Sequence, residues 1–255
     1  MSVFFTLFKK EVREQWRTYR LLIVAAVLMV FGLSSPLLAR YMPELLKAVP
    51  DVPPEIANAI PTATIADAFG QYVKNLTQFG VILALLVPMG AVAQEKERGT
   101  AAMLLSKPVS RGTFVLAKFA ALVVTFLTGL ALAAVGGYYY TGILFEWPDV
   151  GSFTALNGLM LVYLLVFVGL TVFASSLGRS QLASGGIAFG LMMLLALSGA
   201  IPQVSKYLPG SVVAWGGRLV MGGGGSPAWS ALWASLGLIA AALAGAWLVL
   251  RRQEI

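Results

Sequence analysis

The chain has no cysteine and no histidine in its 255 residues. The first absence removes disulfides, thiolate nucleophiles and cysteine-bound metals. The second removes imidazole ligands for zinc or haem and the commonest general base near neutral pH. Charge is scarce as well. Charged residues make up 11% of the chain, hydrophobic residues 58%, and the mean hydropathy is +0.83. An average soluble domain carries roughly 25% charged residues. So few charges cannot cover a water-soluble fold of this length, and an all-α integral membrane protein is expected.

A membrane-spanning helix needs about 20 mostly apolar residues. Six stretches qualify: Leu21–Ala39, Leu76–Ala93, Phe119–Tyr140, Ala155–Leu177, Leu182–Ile201 and Pro227–Leu250. None has Asp, Glu, Lys or Arg in its interior. That argues against a proton or sodium relay, an intramembrane carboxylate protease and the charged rings of a selective channel. No GxxxxGK[ST] phosphate loop occurs, since the glycine run before Ser226 lacks the lysine. The chain offers a path and no engine, so energy for uphill movement must come from another polypeptide. No catalytic residue, metal ligand or cofactor is expected on the chain itself.

The formal charge of +7 bears on orientation rather than on nucleic acid, which is not an expected partner. Of the 18 Lys and Arg residues, only Arg40, Lys47, Lys74, Lys206 and Arg218 fall on one side of the six spans. The rest fall on the other side, which the positive-inside rule makes cytoplasmic, together with both termini. The expected location is the cytoplasmic membrane of a prokaryote. A single transmembrane domain over 1–255 accounts for the whole pattern.

Three segments outside the spans have character of their own. In 1–20, Phe5, Phe8, Val12, Trp16 and Tyr19 recur at helical spacing among Lys9, Lys10, Arg13, Arg17 and Arg20. This predicts an amphipathic helix along the cytoplasmic membrane surface, in contact with lipid. It serves either as a basic anchor or as a connecting helix that also meets a cytoplasmic partner. Glu11 and Glu14 lie where a cleavable signal peptide would not have them. The outer segment from Arg40 to Lys74 holds five prolines and predicts short turns, with a helix from Thr64 running into the second span. The outer segment 202–226 has an apolar run too short to cross and a glycine break, the pattern of a re-entrant piece. Ser226 and Pro227 would then cap and start the last helix.

The longest interior charged stretch is "AQEKERGTAAMLLSKPVSRGTFVLAK", residues 93–118, on the cytoplasmic side. Gln94–Arg98 extends the second span. Gly99 breaks it and Thr100 recaps a short helix with Met103, Leu104 and Leu105 on an apolar face. Lys107-Pro108 stops that helix, and Ser110 caps the next. The segment 94–118 is therefore either a solvated loop or a docking knob with an apolar centre and a charged rim.

These residues resemble the loop between the second and third spans of ABC-2 type permeases, the membrane subunits of ATP-binding-cassette transporters. The matching positions are Glu95, Glu97, Gly99, Thr100, Leu104, Leu105, Pro108, Arg111 and Lys118. "FKKEVREQWR" resembles the connecting helix of that family, in which Lys9, Lys10, Arg13, Trp16 and Arg17 fall. The resemblance implies an exporter subunit that works as a homodimer with two copies of a cytosolic P-loop ATPase. ATP and Mg would sit on that partner. Glu95, Glu97, Arg98, Gly99, Thr100, Met103, Leu104, Leu105, Pro108 and Arg111 would form the coupling surface. An ABC-type scaffold or assembly factor, for example in metal-centre maturation, is the alternative. An amphiphilic lipid, drug or peptide suits the uncharged spans better than a free ion does.

Overall fold

The computed structural model describes residues 3–47, 62–100, 110–223 and 225–253, which form helices and turns with no strand among them. In chain order the helices are α1 (Val3–Arg17), α2 (Arg20–Lys47), α3 (Ile65–Leu86), α4 (Ala93–Glu97), α5 (Arg111–Leu144), α6 (Val150–Leu177), α7 (Gln181–Ser198), α8 (Pro202–Ser205), α9 (Pro209–Val220) and α10 (Trp229–Arg252). Six segments of the described residues are long and apolar enough to span a bilayer: α2, the broken pair α3–α4, α5, α6, α7 and α10.

The central helix is α6. It packs against α3, α5, α7, α9 and α10, and Leu164, Val166, Val168 and Val172 are shut off from its surroundings. α2 lies along α5, with Val24 and Leu28 against Phe126 and Leu130 in one apolar core. Without a hydrophobic drive between helices in lipid, close backbone approach supplies much of the association. Gly32 is the clearest case: a Cβ there would sit 2.6 Å from the Ala133 carbonyl oxygen. Gly32→Val should therefore push α2 off α5, at about 1–3 kcal/mol for overpacking. Thermal unfolding in detergent checks this, and a variant that melts like the parent would contradict the close packing.

Polar side chains add to this packing inside the bundle. The Tyr72 hydroxyl donates to Asn157 Oδ1 at 2.7 Å, and Asn75 Nδ2 donates to Ser35 Oγ at 3.0 Å. These bonds join α3 to α6 and to α2, and a scan for charged residues alone does not reveal them.

Two helix starts fall where the sequence places them: α3 follows Thr64, which the structure shows in a reciprocal capping box with Asp67, and Ser110 Oγ accepts the Thr113 amide at the start of α5. Other expectations are corrected. The chain does not turn at Arg40: α2 continues to Lys47 with Pro36 and Pro43 inside it. Transmembrane helices tolerate proline where neighbouring groups take up the freed backbone carbonyls. The second span is not continuous into Gln94–Arg98, because Pro88 lacks an amide hydrogen and a 3-10 turn, Pro88–Gly90, interrupts it. The last helix starts at Trp229 rather than Pro227, and Ala228, not Ser226, is its N-cap, without a side-chain bond. The residue before a proline is disfavoured in helical geometry, which keeps Ser226 out of the helix, and the Trp229 ring packs on Trp215 of α9 at 5.2 Å. α9 itself buries Val212, Val213 and Gly216, the last against Leu156 of α6.

Candidate functional site

The basic end of the bundle gathers α1, α4, the start of α5 and the last turns of α6 and α10. α1 presents three faces. Glu11 and Gln15 turn inward and are buried, and Phe5 and Trp16 turn outward, Trp16 at 58% exposure. Lys9, Arg13 and Arg17 are exposed along a third side. The polar side thus meets the protein, and the aromatic side faces outward. The connection to α2 passes through Tyr19 at φ 60°, a left-handed position that ends α1 sharply.

The inward carboxylates meet two lysines. Lys118, one-quarter of the way along α5, has a side chain only 3% exposed. Its ammonium lies 3.1 Å from each Glu11 carboxylate oxygen and 2.9 Å from Glu95 Oε1. Lys10 completes the square, donating to Glu11 Oε1 and Glu95 Oε1 at 3.0 Å each. Glu14 stands at the rim, 3.5 Å from Lys10. Two cations and two anions balance where a single charge would be costly to bury. Burial alone would lower the Lys10 pKa, but the Glu11 and Glu95 carboxylates outweigh it and raise it above the ordinary lysine value. With a raised folded-state pKa, the Lys10 contribution is fully present at neutral pH and is lost only in strongly alkaline solution. Carboxylate oxygens of Glu11, Glu14 and Glu95 come within 4.8 Å of one another. The Lys10 and Lys118 ammoniums already occupy that acidic pocket, so it is poorly suited to a metal ion.

Around this square the break at Pro88 is repaired from α6. Ser175 Oγ accepts the Val92 and Ala93 amides at 3.0 Å each and donates to the Met89 carbonyl at 2.9 Å. Lys96 Nζ donates to the Ser176 carbonyl. Arg20 donates to Gln94 Oε1 at 2.9 Å, which ties α2 to α4.

The residues singled out in the sequence divide accordingly. Glu95 is buried in the internal square, so it is not a freely exposed rim charge. Glu97, Arg98, Gly99 and Thr100 are exposed. Gly99 takes φ 69°, which ends α4, and the Thr100 hydroxyl donates to the Glu95 carbonyl at 3.2 Å. Arg111 donates to the Leu250 and Gln253 carbonyls, the latter at 2.7 Å, and so fastens α5 to the end of α10. Met103, Leu104, Leu105 and Pro108 lie outside the described residues. Lys10 belongs to the square, while Lys9, Arg13, Trp16 and Arg17 remain on the outer faces of α1. Glu11, Lys96, Ser175 and Ser176 escaped the sequence reading. The only local hint was an acid at position 11 amid basic and apolar neighbours.

The described residues thus hold six segments able to span a membrane, with the second broken at Pro88. A sequence model of the ABC-2 family transporter proteins matches residues 5–211. The chain belongs to the ABC-2 transporter family, whose members are multi-pass membrane proteins that normally pair with a cytosolic ATPase. It is 26% identical over 217 residues to an uncharacterized transmembrane protein, YxlG, of Bacillus subtilis (strain 168), an alignment that covers 83% of each chain.

Proposed function

We propose that the chain is the permease subunit of an ATP-driven exporter, paired with a second copy and with two copies of a cytosolic ATPase that docks on residues 99–111. The observation that carries this reading is the buried Lys10–Glu11–Glu95–Lys118 square. It fixes α4 rigidly to α1 and α5 while Glu97–Thr100 stay exposed beside it. A push on the exposed stretch would therefore reach two helices at once. Met103, Leu104 and Leu105 would provide the apolar centre of the dock, with Glu97, Arg98 and Arg111 beside it and Pro108 ending its short helix. α1 would lie in the headgroup layer with Phe5 and Trp16 toward the acyl chains, the arrangement of an interfacial helix. The segment 202–226 would enter the outer leaflet shielded by α6, since backbone at that depth needs protein cover. ATP and Mg would be held entirely by the partner.

Purified in nanodiscs, the chain alone should hydrolyse no ATP, and hydrolysis should appear on adding its cytosolic P-loop ATPase, identified by co-purification. Robust turnover by the chain alone, or failure of that ATPase to bind, would refute the reading. The proposed orientation has its own test. In this cysteine-free chain, Glu97→Cys should react with a membrane-impermeant maleimide only after the cells are opened. Trp147→Cys, in the α5–α6 loop, should react in sealed cells, and the reverse pattern would invert the topology.

A further inference from the structure

Near the end of α6 the hydroxyl-bearing Ser175 is fully buried, at 0% exposure. In a continuous helix the Val92 and Ala93 amides would bond to the Pro88 and Met89 carbonyls. The 3-10 turn gives the Pro88 carbonyl to Ala91 instead, at 2.8 Å. Two amides and the Met89 carbonyl are left in the interior, where unpaired backbone groups are costly. Ser175 satisfies all three at once. The next carbonyl, Ser176, is free of the helix ladder and receives Lys96. α4 is thus fastened to α6 at two successive residues, although some 80 positions separate them in sequence.

We infer that Ser175 is a positioning residue: its hydroxyl holds the second span broken and joins α4 to α6, so that displacement of the exposed stretch moves the fourth span. This rests on the permease reading above. A role limited to stability would make the same bonds without moving anything. α6 is suited to carry motion because it touches five helices besides α4 and its other end, at Val150, lies far from the joint.

The test uses the full complex with the ATPase in nanodiscs. Spin labels at Tyr41→Cys and Val150→Cys, both exposed at the far ends of α2 and α6, report the distance between those ends. In the parent an ATP-trapped ATPase should change that distance. Ser175→Ala should bind the ATPase with the same affinity but lose the change, and Ser175→Thr, which keeps the hydroxyl, should restore it. Ser176→Ala, whose hydroxyl serves only the Phe173 carbonyl, should behave like the parent. Lys96→Met, at a half-buried site, should also lose the change, and it decides alone if Ser175→Ala does not fold. A full distance change in Ser175→Ala or Lys96→Met, or its loss in Ser176→Ala, overturns the joint. A parent that binds no ATPase, or shows no ATP-dependent change, overturns the permease reading and the inference with it.

Discussion

Lys118→Met should be the most damaging single substitution at the basic end of the bundle, costing about 3–5 kcal/mol of stability. It removes the buried one of the two cations that touch both carboxylates and leaves Glu11 and Glu95 facing each other with Lys10 alone. Lys10 cannot replace it, because its side chain is 41% exposed and its charge is partly screened by water. In a chain of this size the loss should lower the apparent melting temperature by roughly 10 °C. The triple variant Lys118→Met, Glu11→Gln, Glu95→Gln should regain a large part of the loss. Replacing a buried ion set as a whole is often close to neutral, whereas removing one member strands the others. Equal melting of the single variant and the parent would show that the square is not closed in the membrane.

Leu104→Ala combined with Leu105→Ala should weaken ATPase binding by about 30-fold or more. Truncating a buried interface hot spot costs about 2 kcal/mol or more. The pair should leave melting unchanged, which separates it from Lys118→Met. Glu97→Gln, a rim charge, should matter much less for affinity and chiefly slow association at low salt. Isothermal titration of the ATPase against nanodisc-embedded variants reads both effects. Parent-like affinity in the double leucine variant would make residues 99–111 a solvated loop and remove the dock.

The two predictions draw on different kinds of information. The leucine pair comes from the order of break, cap, apolar face and stop along the sequence, together with the family resemblance. The lysine prediction comes from three dimensions alone. Positions 11, 95 and 118 belong to three separate elements, and no spacing rule connects them. Glu95 illustrates the difference best. In the sequence it is one of two acids in a charged run, equivalent to Glu97. In the fold it faces inward to Lys118 while Glu97, two residues on and so about 200° round α4, faces out, and only packing decides which of the two turns inward.

By itself the sequence determined that six stretches are long and apolar enough to cross a membrane, which side is basic, and where α3 and α5 begin. Those features depend on hydropathy over about 20 residues, on the count of Lys and Arg, and on capping within three residues, all of them local quantities. The tertiary structure decided the rest: that Pro36 and Pro43 sit inside α2, that the second span breaks at Pro88, and that Ser175 repairs it. It also decided that a lysine and a glutamate 107 residues apart neutralise each other out of water. Each of these turns on a partner brought in from another helix, and only packing determines whether a freed carbonyl or a buried charge finds one.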